Sequence, residues 1–91
     1  MSIFAIIKQP GQTDNVGDSI RMHFPTAHYT LGADAWLVSA TTTAQELSER
    51  LGITSGISGS AIVIEAASYF GRANPAIWSW IKANWEGPPL A

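Results

Sequence analysis

Residues 35–51 read Ala-Trp-Leu-Val-Ser-Ala-Thr-Thr-Thr-Ala-Gln-Glu-Leu-Ser-Glu-Arg-Leu, and this stretch predicts a strand followed directly by a helix. The first six residues are mostly apolar, which is typical of a buried strand. Thr43 and Glu46 have the spacing of a capping box, in which each side chain binds a free backbone amide of the first helical turn. We therefore predict a strand over 35–40 and a helix over 43–51.

The predicted helix also has a clear end. Leu47 and Leu51 lie four residues apart on one helical face. Gly52 can adopt the left-handed conformation that closes many helices, and Ile53 provides the apolar contact that accompanies it. The helix is therefore expected to stop at Leu51.

The same kinds of signal predict further elements on either side. Runs of β-branched and aromatic residues indicate strands, whereas apolar residues recurring every three or four positions indicate helices. Proline and glycine mark the ends of most of these segments. The predicted elements are strands over 3–8, 27–31 and 61–67, a helix from Asp14 to the residue before Pro25, and a helix that begins at Pro75 and ends before Gly87.

The predicted order is strand, helix, strand, strand, helix, strand, helix. Two strand-helix-strand units joined through a hairpin form the ferredoxin-like βαββαβ arrangement, an antiparallel four-stranded sheet with two helices on one face. The last helix is then an extra C-terminal element. A chain of 91 residues builds one core, so we predict a single α/β sandwich domain over residues 1–91.

The composition excludes several classes of protein. Hydrophobic residues make up 46% of the chain and charged residues only 13%, which argues against disorder. The chain contains no cysteine, so neither a disulfide nor a thiolate zinc site can stabilise it. The formal net charge of −2 gives no bulk attraction to nucleic acid, and no apolar run approaches the roughly 20 residues of a membrane span. Because the first residues match no secretory signal, we expect a bacterial cytoplasmic protein.

The predicted strands carry more apolar side chains than one face of the sheet can bury. The strands predicted over 3–8, 35–40 and 61–67 are apolar on both faces. A ferredoxin-like sheet carries its helices on one face, so the other face needs a cover. The tryptophan-bearing C-terminal helix and a second copy of the chain are the candidates. We therefore expect self-association as a twofold homodimer.

Three segments carry a resemblance to a known family. They are Pro10-Gly11-Gln12 after the first strand, residues 36–40 before the central helix, and residues 61–65 before an aromatic, glycine-containing turn. In these segments the chain resembles the small ferredoxin-like proteins related to the CRISPR-associated integration and endoribonuclease subunit. The resemblance implies the fold of that family and its dimer.

The resemblance does not extend to the chemistry of the family. Its nuclease members are expected to carry an aspartate near the end of the first strand, where two copies meet and a divalent metal binds. Aligning on Pro10-Gly11-Gln12 places Ile6 at that position, and residues 6–9 contain no carboxylate. Hard cations need oxygen ligands, so we predict no catalytic residue, no metal and no cofactor. A metal-dependent nuclease-like enzyme stays as an alternative.

One segment has the residue types of a binding site. Tyr69, Phe70 and Arg72 place an aromatic pair beside a guanidinium, which can stack a base or hold an anion. Trp80 lies off the apolar stripe of the last helix and offers a further ring. These four residues form the candidate binding site, although core packing is the competing interpretation. Weak nucleic-acid or anion binding is a second alternative, in which the 5 scattered basic residues disfavour nucleic acid.

Two other groups of residues have simpler interpretations. His23, His28 and Asp34 could meet as metal ligands, but their spacing matches no ligand signature. Gly52, Gly56 and Gly59 could cradle a phosphate, but their loop leads into a strand and contains no lysine or arginine. The favoured function is thus a noncatalytic, self-associating structural or interaction module, with an unidentified protein as a further partner and no membrane attachment.

Overall fold

The structure is a computed structural model that describes residues 2–9, 14–68 and 71–85. Its elements confirm the predicted order of strands and helices. They are β1 (Ser2–Lys8), α1 (Val16–His23), β2 (His28–Gly32), β3 (Ala35–Ala40), α2 (Ala44–Arg50), β4 (Ala61–Glu65) and α3 (Pro75–Asn84). The described chain is therefore a mixed α/β protein.

The four strands form one antiparallel sheet in the order β2-β3-β1-β4. Ile6 in the middle of β1 lies opposite Trp36 of β3 on one side and Val63 of β4 on the other. Since β1 is hydrogen-bonded along both sides, a run of apolar residues suits it. β2 and β4 are the edge strands.

The helices α1 and α2 cover the first face of the sheet. Alternation along β1 turns Phe4 and Ile6 toward these helices, and both are fully buried. Ile20 of α1 and Leu47 of α2 meet them from the helical side. This first core comprises the buried residues Phe4, Ile6, Val16, Ile20, Phe24, Trp36, Val38, Ala40, Leu47, Leu51 and Ile53.

The C-terminal helix α3 covers part of the second face. Its Ile81 is buried against Ile3 of β1 and Leu37 of β3. Around them lie the partly buried residues Ala5, Tyr29, Ile77, Trp78, Trp80 and Trp85. The tryptophan-bearing helix therefore supplies one of the two covers that the sequence suggested.

The start of α2 contains half of the predicted capping box. Thr43 Oγ1 accepts a hydrogen bond from the Glu46 N–H at 3.1 Å. The Glu46 carboxylate accepts from the Thr42 hydroxyl at 3.0 Å instead of turning back to the Thr43 amide. The cap still serves one of the free amides of the first turn.

The end of α2 has the predicted glycine closure. The Gly52 N–H donates to the Glu49 carbonyl at 3.2 Å, and the Ile53 N–H donates to the Ser48 carbonyl at 2.9 Å. Gly52 has a φ of +78°, the left-handed conformation of a Schellman motif. Ile53 then enters the first core.

Both α1 and β4 are shorter than predicted. α1 begins at Val16 and not at Asp14, because the Asp14 carboxylate accepts the Val16 N–H at 3.1 Å and so precedes the helix. β4 ends at Glu65 and not at residue 67. Its ladder closes with the Ala66 N–H, which donates to the Ile3 carbonyl at 2.8 Å.

Candidate functional site

The part of the second sheet face that no described residue covers is the strongest candidate site. Side chains alternate along β1, so Ile7 points to the same face as Ile3 and Ala5. Residues opposite each other in an antiparallel ladder share a face, which places Ile62 beside Ile7 and Ile64 beside Ala5. Ile7, Ile62 and Ile64 are 44%, 61% and 49% exposed. We call these three residues the isoleucine patch.

The helix α3 leaves this patch open because it lies over the other part of the sheet. It contacts β1 and β2. Among the described residues, no member of the isoleucine patch joins the cluster around Ile81. A groove of about 300 Å³ runs beside Ile7 and Ile62. Large aliphatic side chains grouped on a solvated sheet face make this patch a candidate interaction surface.

Backbone hydrogen bonds show which groups of β4 face its free edge. The Ala66 N–H donates to the Ile3 carbonyl at 2.8 Å, and the Gln9 N–H donates to the Ser60 carbonyl at 2.9 Å. Hydrogen-bonded pairs recur at every second residue of an antiparallel ladder. The even-numbered residues of β4 therefore bond to β1, and the odd-numbered residues direct their N–H and C=O groups outward.

The two sheet edges differ in how well they are protected. The outward groups of Ala61, Val63 and Glu65 bind no described residue, and only Glu65, at the strand end, is charged. On the opposite edge, a register shift between Thr30 and Gly32 marks a bulge in β2. Bulges, prolines and charges protect edges against pairing with another chain. Apart from its terminal glutamate, β4 has none of these devices.

A cluster of charges lies at the C-terminal end of β1. Lys8 Nζ lies 2.8 Å from Asp14 Oδ2 and 3.4 Å from Asp34 Oδ1. The Asp14 side chain is only 6% exposed. The adjacent Lys8 ammonium lowers the pKa of the Asp14 carboxyl, and the carboxylate in turn raises the pKa of the Lys8 ammonium.

This cluster borders a cavity of about 290 Å³. At its rim Arg21 binds Asp18, so the two cations of the cavity, Lys8 and Arg21, are both paired with carboxylates. The indole N–H of Trp36 is buried at the cavity and finds no hydrogen-bond partner among the described residues. The balanced charges favour a structural role, in which Lys8 joins the end of β1 to the start of α1 and to the β2–β3 turn.

The histidines are engaged with nearby backbone and do not form a metal centre. His23 Nδ1 donates to the Ser19 carbonyl at 2.9 Å, and His28 Nδ1 donates to the Phe24 carbonyl. In the part of the chain that the structure describes, no three His, Asp or Glu side chains are grouped to hold a metal ion. Ile6, which the sequence resemblance aligned with the nuclease aspartate, is fully buried in the first core.

The structure brings one of the four predicted binding residues into a defined packing environment. Tyr69 and Phe70 lie outside the described residues. Arg72 is exposed. Trp80 packs against Tyr29, with ring centroids 6.1 Å apart and an interplanar angle of 51°. Trp80 therefore lies in the same cluster as the other α3 tryptophans, because large rings on the flanks of a helix can still reach the sheet below it.

The glycine-containing loop between α2 and β4 uses its backbone groups internally. The Gly56 N–H donates to the Ile53 carbonyl at 3.1 Å, and the Ser58 N–H donates to the Gly52 carbonyl at 3.0 Å. The Ser58 carbonyl accepts from the Asn15 N–H at 2.7 Å. These amides are therefore not directed at a phosphate, and the loop is a folded connection.

Comparison with known proteins gives no relative: no protein-family model, no curated protein and no solved structure matches the chain. Over the described ranges, each helix is too short or too polar to cross a lipid bilayer. The function therefore has to be inferred from the geometry of the isoleucine patch and the β4 edge.

Ile62 and Ile64 were not among the predicted binding residues. One feature of the sequence could have identified them: Ile62 and Ile64 are alternate residues of the last strand of a βαββαβ order, and this topology places that strand at an edge of the sheet. Residue types typical of ligand binding favoured Arg72 and Trp80 instead, because such types are easier to recognise than an uncovered face.

Proposed function

We propose that the chain is a noncatalytic structural or interaction module that self-associates as a homodimer through the isoleucine patch. The observation that carries this proposal is the exposure of Ile7, Ile62 and Ile64 beyond the area that α3 covers. Fully burying one exposed isoleucine side chain stabilises by about 1.5–3 kcal/mol. Because these side chains are roughly half exposed, packing them against the same side chains of a second copy recovers part of this free energy in each copy.

A second copy suits this patch better than a charged partner. The patch contains no charged residue, and a formal net charge of −2 leaves only weak repulsion between copies. Under twofold symmetry the same patch of each copy meets the other at the axis, and twofold dimers are the commonest homo-oligomers.

The proposed module has the ferredoxin-like fold with α3 as an added C-terminal helix. β3 lies between β1 and β2, and β1 lies between β3 and β4, which supports the split β-α-β connectivity of that fold. The resemblance to the CRISPR-associated subunit enters the proposal only through this fold and the twofold assembly. Ile6, at the position of the nuclease aspartate, supports the noncatalytic role.

The test is sedimentation velocity over roughly a hundredfold range of protein concentration, with two matched variants. The natural chain is expected to shift from monomer to dimer. Ile62→Lys is expected to stay monomeric, because the charge replaces an apolar contact between the two copies and has no counter-charge there. Ile57→Lys makes the same change in the loop after α2, where Ile57 is 83% exposed, and is expected to dimerise normally. A natural chain that stays monomeric at every concentration would overturn the proposal.

A further inference from the structure

We propose that the two copies join edge to edge through β4. This inference rests on the proposed homodimer and specifies its geometry. Two β4 strands run antiparallel about a twofold axis at Val63 and unite the two four-stranded sheets into one continuous sheet. The partner at the β4 edge is therefore a second copy of the same chain.

The positions of the outward backbone groups along β4 determine that the twofold axis lies at Val63. Only Ala61, Val63 and Glu65 have outward backbone groups, and an outward residue bonds only to another outward residue across the junction. With the axis at Val63, each Val63 pairs with Val63 of the second copy and each Ala61 pairs with Glu65. An axis at Ile62 or Ile64 leaves one outward residue of the strand without a partner in β4.

The side chains are complementary in the same register. Ile62 of one copy lies opposite Ile64 of the other in a non-hydrogen-bonded pair, whose Cα atoms are about 4.5 Å apart. Together with Ile7 of each copy they form a continuous apolar strip across the junction. Glu65 lies opposite Ala61, so the only charged residue of β4 does not meet a like charge.

The other sheet edge is a poorer candidate for this contact. The bulge between Thr30 and Gly32 interrupts the regular spacing of donors and acceptors along β2. An extended segment of a different protein is the alternative occupant of a free strand edge. Such a segment would leave this chain monomeric on its own, so the two occupants give different results in solution.

Disulfide trapping tests the register directly, because the natural chain contains no cysteine. In the proposed dimer the two Val63 Cα atoms lie about 5.5 Å apart, within the range that a disulfide spans. V63C is therefore expected to form a covalent dimer under mild oxidation, and a thiol reductant is expected to reverse it. The substitution is conservative in size, so folding should persist.

I62C is the matched control for the register. The two copies of residue 62 are diagonal neighbours about 7–8 Å apart, beyond the reach of a disulfide. I62C alone is expected to remain uncrosslinked at a concentration where sedimentation shows dimer. An equal mixture of I62C and I64C is expected to crosslink, because residues 62 and 64 face each other across the junction.

Each outcome has a distinct meaning. A dimer in which I62C crosslinks and V63C does not would place the axis at Ile62 and contradict the register. A dimer in which none of these variants crosslinks rejects the β4 junction and leaves self-association intact. A monomeric natural chain rejects both proposals.

Hydrogen exchange provides a readout on the unmodified chain. The amides of Ala61, Val63 and Glu65 are expected to exchange at least about tenfold more slowly in the dimer than in the monomer. The Ile62 and Ile64 amides already bond to β1 and are expected to be protected at both concentrations. Unchanged exchange at Val63 on dimerisation is incompatible with a β4 junction.

Discussion

Lys8 holds three segments of the chain together with a single side chain. It ends the central strand, and its ammonium lies between the carboxylates of Asp14, before α1, and Asp34, in the β2–β3 turn. Fully exposed ion pairs contribute little to stability. The Asp14 side chain is nearly buried, however, and also accepts the Val16 N–H. Removing Lys8 would therefore leave a poorly hydrated carboxylate without its counter-charge.

The Lys8–Asp14 pair predicts how stability depends on pH. The pKa of Asp14 is lower in the folded than in the unfolded chain, where it is about 3.9. Its contribution to the free energy of unfolding is therefore complete above that value and lost as the pH falls through the folded pKa. The pKa of Lys8 is raised, so its contribution is present below the unfolded pKa of about 10.4 and lost as the pH rises through the folded pKa.

Lys8→Met is expected to lower the free energy of unfolding at neutral pH and to reduce the acid-dependent loss of stability. Urea titrations at a series of pH values measure both effects. Lys82→Met removes an exposed lysine from α3 and is the control, expected to change stability little. If the free energy of unfolding of Lys8→Met falls as steeply with decreasing pH as that of the natural chain, the role assigned to Asp14 is wrong.

At the scale of the element, α2 shows what local sequence can determine. Its cap at Thr43 and its closure at Gly52 involve contacts between residues a few positions apart. Such contacts depend only on the neighbouring sequence, and the predicted helix over 43–51 differs from the observed bounds Ala44–Arg50 by one residue at each end. α1 was predicted less accurately because the Asp14 carboxylate accepts the Val16 N–H from outside the helix, so the helix starts at Val16 and not at Asp14.

Gly52 and Gly56 offer a matched test of the closure of α2. Both have positive φ, +78° and +80°, so alanine at either position should cost about 1–2 kcal/mol of folding free energy. A Cβ on Gly52 would also lie 2.7 Å from Ser58 Oγ, whereas a Cβ on Gly56 meets no atom within 4 Å. Gly52→Ala is therefore expected to destabilise more than Gly56→Ala in urea unfolding. Equal losses would show that the contact with Ser58 is unimportant.

The strands show where local sequence stops being sufficient. The apolar alternation of β4 predicted a strand. That β4 lies at an edge follows from the strand order, and which of its backbone N–H and C=O groups point outward follows from its pairing with β1. The isoleucine patch likewise depends on where α3 packs, since Ile3 and Ile7 look alike in sequence and differ in exposure. The apolar surplus could thus be predicted from the sequence, whereas the position of the uncovered surface could not.

At the scale of the whole molecule, the sheet is the middle of three layers. The helices α1 and α2 form one outer layer and α3 forms the other, so the protein has an apolar core on each side of the sheet. The second core is smaller, with Ile3, Leu37 and Ile81 as its buried members among the described residues. Its stability therefore depends heavily on the few contacts made by α3.

Ile81→Ala tests this dependence. Ile81 is 7% exposed, and truncating a buried isoleucine to alanine costs about 2–5 kcal/mol. Tryptophan emission should also shift to longer wavelength, because Trp78, Trp80 and Trp85 pack in the same cluster and would become more solvated. Urea unfolding followed by fluorescence measures both changes, with Ile57→Ala as an exposed control. An unchanged midpoint in Ile81→Ala would show that α3 does not stabilise the sheet.

The bulge in β2 limits how far the sheet can grow. In the proposed dimer the two β4 edges pair with each other. The outermost strand at each end of the joined sheet is then β2. Each β2 is interrupted between Thr30 and Gly32, so it is a poor template for the next chain. The proposed dimer is therefore expected to close at two copies and not to extend into longer sheets.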